Sequence, residues 1–289
     1  MNDKYYDMGF FWDQGEEHIT GDFFNFTNDA CPFGNAPSQV PRFLWTDNTG
    51  TTETSIFIKA NHIEAGNGSL LSSYDDSPNT KARIWWNVGF YNAVDGAGAF
   101  DLLGDALVYF YDCGKIAAKG DVFKPSNAGT LWVDCEKVTE NGSGHWVNDI
   151  GAQTNYFRVE HWEDNSGVMT SGFLLQKSVA SASYFYGGSA SLTGGPVVKY
   201  GLGNGSPGPV TSFEGMTMQT TGTNADIWMN GYTNGLTLLA CNLHSQSAQG
   251  SIYAIVPSFV QGIFNADQYP TNFVHMTGTN FVHASANVN

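Results

Sequence analysis

Residues 82–91, which read ARIWWNVGFY, set the expectation for the fold. Isoleucine, valine and aromatic residues favour β-strands, and no segment of the chain keeps a helical apolar period for three turns. Similar runs recur, including TSIFIKANHI (54–63), DALVYFYD (105–112), TLWVDCEKV (130–138) and NYFRVEHWE (155–163). Asn-Gly pairs, the strongest short hairpin signal, begin at Asn67, Asn141, Asn204, Asn230 and Asn234. The sequence therefore predicts an all-β protein of antiparallel β-sandwich or jelly-roll-like modules.

The composition divides the chain into three segments and a linker. Residues 1–53 are aromatic but aperiodic, which predicts an extended N-terminal arm. Residues 196–209 are rich in glycine and proline and predict a linker. It would join a β-sandwich module at 54–195 to a second, smaller β module at 210–289. No period of 20 to 50 residues recurs, so the sequence disfavours a solenoid or a propeller.

The charge of the chain excludes several classes of partner. Twelve Lys and Arg residues stand against 27 Asp and Glu residues, a formal net charge of −15, and the basic residues are scattered singly. Nucleic-acid binding needs a basic stripe, and an acidic surface disfavours anionic membranes. The first residues lack a basic stretch followed by an apolar run, so we expect no signal peptide. We therefore expect neither nucleic acid nor membrane as a partner.

Motifs for catalysis and for cofactors are missing from the sequence. No GxSxG, HExxH, Walker or EF-hand pattern occurs, so we expect no enzyme, no cofactor and no bound metal. Glycoside hydrolysis by Glu160 and Glu163 is a lesser alternative, because two carboxylates must flank a sugar. In a regular strand these two side chains would point to opposite faces.

The repeated pentapeptide TNFVH (271–275 and 279–283) predicts a terminal β-hairpin closed by the turn 276–278. Its histidines, His275 and His283, would stand too far apart to share one metal ion. The four cysteines form no CxxC pair, which favours free, buried thiols. Cys113 and Cys135 could face each other on adjacent strands, and the sequence leaves open whether they form a disulfide.

Adjacent aromatic residues are frequent, although neighbouring side chains in a strand point to opposite faces. Such strands are buried on both faces or are covered on one face by a partner, so these residues suggest subunit interfaces. The candidate interface residues are Phe10, Phe11, Trp12, Phe23, Phe24, Tyr109, Tyr111, Tyr184 and Tyr186.

Tryptophan beside Asn and Asp also suggests glycan binding, because sugars stack on exposed aromatic rings while amide and carboxylate groups bond their hydroxyls. The candidate glycan-binding residues are Trp85, Trp86, Trp162, Asp164, Asn165, Trp228, Asn230 and Tyr232.

The C-terminal segment carries a Gly-aliphatic-Tyr run at residues 250–253, Gly-Ile-Phe at 262–264 and Phe-Val-His-Ala at 281–284. With these motifs, segment 250–289 resembles the ends of some tailed-bacteriophage virion proteins. The resemblance implies a non-enzymatic structural subunit of a virion (capsid decoration, neck or tail). Its partners would be copies of itself and other virion proteins. The alternative is a lectin-like protein that recognises a host glycan.

Overall fold

The computed structural model describes residues 8–12, 15–26, 42–46, 54–65, 69–73, 83–94, 99–104, 107–125, 130–150, 154–176, 182–201, 207–229, 232–245, 250–254, 259–266, 274–276 and 281–288. These residues form two sheets, which we call the short sheet and the long sheet after the length of their strands. The 11 strands of the short sheet are β1 (Met8–Trp12), β3 (Arg42–Thr46), β5 (Ser69–Ser73), β7 (Phe100–Gly104), β9 (Phe123–Pro125), β11 (Val147–Asp149), β13 (Phe173–Leu175), β16 (Val198–Tyr200), β19 (Ile227–Met229), β21 (Ile252–Ala254) and β23 (Val274–Met276).

The long sheet contains the strands that alternate with these along the chain. They are β2 (Gly15–Phe26), β4 (Thr54–Ala65), β6 (Arg83–Ala93), β8 (Leu107–Ala118), β10 (Thr130–Glu140), β12 (Thr154–Asp164), β14 (Ala182–Tyr186), β15 (Ser189–Leu192), β17 (Pro207–Glu214), β18 (Thr217–Thr220), β20 (Tyr232–Leu243), β22 (Phe259–Ala266) and β24 (Phe281–Val288). Strand β12 pairs with both β14 and β15, so these two short strands together take the place of one long strand.

The chain folds as a parallel β-solenoid. Every strand pairing among the described residues is parallel. Each coil adds a strand to the short sheet and then one to the long sheet. The prediction of antiparallel β-sandwich or jelly-roll modules is therefore wrong, and so is the expectation that a solenoid is unlikely. Register partners such as Phe57, Trp85, Tyr109 and Trp132 are unequally spaced in sequence, which hid the repeat.

The predicted hairpins are also corrected by the strand pairing. Strand β23 pairs with β21 in the short sheet, whereas β24 pairs with β22 in the long sheet, so the two TNFVH copies do not form a terminal hairpin. Asn234 and Gly235 lie inside β20, and Asn141 follows β10 at a corner between the sheets. Hairpin propensity is a local property, whereas the partner of each strand here lies one whole coil away.

The adjacent aromatic residues are explained by the two sides of the long sheet. Trp86 is fully buried and stacks on Phe110 of the next strand, with ring centroids 5.7 Å apart. Phe157, Phe185 and Phe213 continue this inner column, with centroids 4.8 and 4.6 Å apart. The apolar core lies between the two sheets, and the neighbour of each inner residue points outward.

The same two sheets extend through all three segments expected from composition. Strand β2, from segment 1–53, pairs with β4 over most of its length. Strand β17, which begins within 196–209, pairs with β14 on one side and with β20 on the other. Strand pairing thus continues across both expected boundaries.

Long strands bend near their middle, where two consecutive side chains point outward. In β12, Glu160 and His161 are both exposed between the buried Val159 and Trp162. In β8 the bend contains a bulge at Asp112, whose φ of 51° is unusual for a residue other than glycine. The bend gives the outer face of the long sheet a concave region.

Candidate functional site

The outer face of the long sheet carries a column of aromatic rings. His18, Phe57, Trp85 and Tyr109 are register partners on four adjacent strands. Their ring centroids lie 4.7, 4.4 and 5.8 Å apart, and the interplanar angles are 12°, 5° and 14°. Further along the same column, the centroids of Trp132, Tyr156 and Tyr184 lie 4.9 and 5.2 Å apart. We call these seven residues the aromatic ladder.

Stacking determines what the aromatic ladder can bind. Adjacent strands lie about 4.8 Å apart, close to the separation of stacked rings, so in-register aromatic residues stack on each other. The faces of Phe57 and Trp85 are therefore covered by their neighbours, and a sugar cannot stack on them. Most of the ladder thus stabilises the sheet rather than offering a platform to a ligand.

Three aromatic side chains on this face keep a large exposed fraction. Tyr111 is 44% exposed, Trp132 43% and Tyr186 37%. Trp132 belongs to the ladder, whereas Tyr111 and Tyr186 lie in the next outer column, two residues after Tyr109 and Tyr184. Phe23 is more exposed still, at 54%, but it lies on β2 at the edge of the long sheet. Tyr111, Trp132 and Tyr186 are thus the exposed rings in the middle of the outer face.

An open groove of about 480 Å³ lies beside these rings in the concave part of the face. Its lining residues come from the bends of four adjacent strands: Gly89, Asp112, Cys113, Gly114, Asp134, Cys135, Glu136, Arg158 and Glu160. Asp112 follows Tyr111, Asp134 lies two residues after Trp132, and Arg158 is the register partner of Tyr186. The exposed rings thus border the groove, and we call the groove together with these bordering rings the outer groove.

Two glycines allow the strands beneath the outer groove to pack closely. A Cβ atom at Gly114 would lie 2.3 Å from the carbonyl oxygen of Gly89, and one at Gly89 would lie 2.7 Å from that of Asn61. Side chains at these positions would push the strands apart, because real Cβ contacts are never so short. The close approach of β4, β6 and β8 therefore requires these glycines.

Four carboxylates and one guanidinium define the charge of the outer groove. Asp134 and Arg158 are register partners, and Arg158 Nη1 lies 3.7 Å from Asp134 Oδ2. The Arg158 side chain is largely exposed and that of Asp134 is partly exposed, so their ion pair is weak. Glu136 and Glu160 follow one position beyond the register pair Cys135 and Val159. Carboxylates accept hydrogen bonds and guanidinium donates them, so hydroxyl groups would find both kinds of partner here.

No metal centre is apparent in this groove. Among the described residues, no three or more His, Cys, Asp or Glu side chains are grouped so that they could hold a metal ion. The thiols of Cys113 and Cys135 are only 3% exposed, and burial raises the pKa of Cys113 to about 11 and also raises that of Cys135. Both thiols therefore stay protonated near neutral pH.

The structure separates the glycan-binding residues suggested by sequence. Trp86 and Trp162 are buried in the core, 0% and 2% exposed, and Trp85 is stacked within the aromatic ladder. Trp228 lies on the short sheet with Lys199 Nζ 5.3 Å from its ring centroid. Tyr232 begins β20, whereas Asn230 lies outside the described residues.

The side chains of Asp164 and Asn165 make hydrogen bonds within the protein at a corner of the solenoid. Asp164 Oδ1 accepts hydrogen bonds from the backbone N–H groups of Ser166 and Gly167, 2.8 and 2.9 Å long. Asn165 Nδ2 donates to Asn141 Oδ1 at 3.1 Å. Both side chains thus stabilise the turn and the stacking of neighbouring coils.

The candidate interface residues also fall into groups. Tyr109 and Tyr184 belong to the aromatic ladder, and Tyr111 and Tyr186 flank the outer groove. Phe23 is 54% exposed on β2, whereas Phe24 packs partly against the core. The backbone of Phe10, Phe11 and Trp12 lies in β1, and their side chains are outside the described part of the structure.

The two carboxylates considered for glycoside hydrolysis have different surroundings. Glu160 lines the outer groove, whereas Glu163 Oε1 accepts from Lys137 Nζ at 2.9 Å beyond the buried Trp162. Because β12 bends, both point outward, contrary to the expectation for a regular strand.

Sequence reasoning missed Asp112, Asp134, Glu136 and Arg158. Aligning TLWVDCEKV with NYFRVEHWE on Trp132 and Tyr156 would have brought Asp134 beside Arg158 and Glu136 beside Glu160. That alignment requires parallel pairing, which the sequence did not suggest.

Comparisons of the chain with protein-family models, with characterised proteins and with solved structures give no significant match. The described residues include no helix long and apolar enough to cross a membrane.

Proposed function

We propose that this protein binds an uncharged glycan chain in the outer groove. The observation that carries this proposal is the juxtaposition of exposed Tyr111, Trp132 and Tyr186 with the carboxylates and the guanidinium of the groove. Ligand sites combine apolar surface with a few polar groups that fix orientation, and volumes of about 300–1,000 Å³ are typical. The groove has a volume in this range, its lining supplies the polar groups, and the three bordering rings supply the apolar surface.

The charge of the groove indicates which glycans would be favoured. Asp112, Asp134, Glu136 and Glu160 outnumber Arg158 within the groove, although Lys137 lies nearby on β10. Like charges repel across an interface, so acidic sugars would bind poorly. Hydroxyl groups of a neutral sugar can replace their hydrogen bonds to water, because each carboxylate can accept hydrogen bonds from two of them. We therefore expect neutral oligosaccharides to bind more tightly than acidic ones.

The test is titration of neutral, amine-bearing and acidic oligosaccharides into the purified chain by calorimetry. Trp132→Ala should weaken binding of the neutral ligand at least about tenfold, because it removes a central aromatic contact. Phe23→Ala is the matched control, since Phe23 is an exposed aromatic residue outside the groove, and it should leave affinity within about twofold. Absence of binding across the panel, or equal losses in both variants, would refute the proposal.

A second candidate function is that of a structural subunit, as in a tailed-phage virion. The specific observation in its favour is that Val210 and Leu239, each 40% exposed, extend the apolar outer face beyond the outer groove. Tyr186 is the register partner of Glu214, and Glu214 is the register partner of Leu239, so the surface continues from coil to coil. A glycan confined to the groove would leave this part uncovered, whereas another subunit could cover it. Location in a virion follows from the C-terminal resemblance and remains part of this proposal.

A further inference from the structure

Two cysteines lie side by side at the outer groove. Cys113 on β8 and Cys135 on β10 are register partners, both are free thiols, and both contribute to the lining of the groove. Neighbouring strands lie about 4.8 Å apart, and disulfides form when the Cα atoms are about 4.4–6.8 Å apart. The separation of these two strands therefore suits a disulfide.

The orientation of the two sulfur atoms shows what movement is needed. Cys135 Sγ lies 3.1 Å from the carbonyl oxygen of Gly114, and so it already points toward β8. Cys113 Sγ lies 3.5 Å from the carbonyl oxygen of Trp86, and so it points away from Cys135 toward β6. Rotation of the Cys113 side chain about χ1 would bring the two sulfur atoms together.

The backbone at Cys113 is suited to this movement. Cys113 follows the bulge at Asp112, and the pairing register of β8 and β10 shifts between Val133 and Cys135. A bulge interrupts the regular hydrogen-bonded ladder, so small shifts there break fewer bonds than in a regular strand. The Cβ atoms of Cys113 and Cys135 can therefore approach to about 3.5–4.5 Å, the separation found in disulfides.

We infer that Cys113 and Cys135 form an oxidation site that converts to an intrachain disulfide joining β8 to β10. With hydrogen peroxide as oxidant, one sulfur attacks a peroxide oxygen, the O–O bond breaks, and a sulfenic acid and water form. The second sulfur then attacks the sulfenic sulfur, the S–O bond breaks, the S–S bond forms, and a second water leaves. Two thiols and one peroxide thus give one disulfide and two waters.

Cys241 provides a matched control within the chain. It is buried, it follows a bulge residue, Ala240, with φ of 52°, and its Sγ lies 3.3 Å from the carbonyl oxygen of Phe213. Its register partner on β22 is Phe264 rather than a cysteine. Cys241 therefore shares the local geometry of Cys113 but has no cysteine as its register partner on β22.

The experiment is a long incubation of the folded chain with hydrogen peroxide, followed by unfolding, alkylation of free thiols, proteolysis and mass spectrometry. The incubation is long because buried, protonated thiols react slowly. We expect a cross-linked peptide containing Cys113 and Cys135, lighter by about 2 Da than its reduced parts together, while Cys241 is alkylated. Dithiothreitol should release the two peptides.

Two variants complete the experiment. Cys135→Ser should abolish the cross-link at Cys113, whereas Cys241→Ser should leave the Cys113–Cys135 cross-link unchanged. Recovery of both cysteines as free alkylated thiols after treatment of the folded chain would overturn the inference. So would cross-linking of Cys113 to other cysteines as often as to Cys135.

Discussion

At the scale of single residues, Trp85 and Trp86 differ in role although they are adjacent in sequence. Trp86 is fully buried and packs among Tyr91, Phe100 and Phe110, whereas Trp85 lies in the aromatic ladder on the outer face. Alternation of side chains along a strand is enough to separate them. The placement of the strand in the sheet decides which tryptophan points to the core. The two side chains are identical, so their chemistry did not decide their roles.

Buried Asp226 makes a residue-scale prediction about pH. Its Oδ1 accepts from the backbone N–H of Thr220 at 2.7 Å, and burial raises its pKa to about 7. The unfolded chain releases this proton near pH 4, so the folded chain holds a proton that the unfolded chain lacks between about pH 4 and pH 7. The contribution of Asp226 to stability is therefore greatest below about pH 4, falls as pH rises from about 4 to about 7, and is constant above that.

Asp226→Asn should reduce that loss, because asparagine keeps an acceptor for Thr220 without a buried charge. We expect the variant to match the original chain near pH 4 and to exceed it by on the order of 1–3 kcal/mol at pH 8 in urea unfolding. Asp22→Asn, a surface substitution, should change neither value. Equal pH dependence in Asp226→Asn and the original chain would show that burial does not perturb this carboxyl.

At the scale of elements, the aromatic ladder joins one strand of the long sheet to the next. Trp85 on β6 lies between Phe57 and Tyr109, with centroid distances of 4.4 and 5.8 Å. Each such pair contributes about 0.5–1.5 kcal/mol beyond the area that it buries. The ladder therefore supports the parallel register in which the residues of the outer groove meet.

Trp85→Ala should lower the free energy of unfolding by about 1–3 kcal/mol, because two stacked contacts are lost. Glycan affinity should stay within about twofold, since both faces of the Trp85 ring are covered by Phe57 and Tyr109. Trp85→Phe, which keeps a ring in the stack, should retain most of the stability. Urea unfolding and glycan titration on the same samples check both parts. Loss of binding without loss of stability would mean that Trp85 contacts the ligand directly.

At the scale of the whole molecule, the exposed apolar side chains of the outer face suggest association with other subunits. If this face is a subunit interface, light scattering should give a native mass above the 31.3 kDa of one chain. Added salt should favour association, because the net charge of −15 makes copies repel each other.

Leu239→Lys should shift such an assembly toward a single chain, because it places a charge in the apolar face. Val168→Lys is the control, since Val168 is 58% exposed in the turn after β12, away from this face. A single-chain mass at every protein and salt concentration would contradict the subunit proposal and leave glycan binding in the outer groove as the function to test.

The sequence by itself determined that this protein is all-β and where most of its long strands lie. Runs such as 130–138 and 155–163 are strands in the structure because β-branched and aromatic residues suit an extended chain whose neighbours pack beside it. Only the tertiary structure decided that these strands pair in parallel, that Asp134 lies beside Arg158, and that Cys113 lies beside Cys135. The physical reason is that strand propensity is a property of neighbouring residues in sequence. The pairing of a strand depends instead on a strand one coil away, with which it packs on the same core.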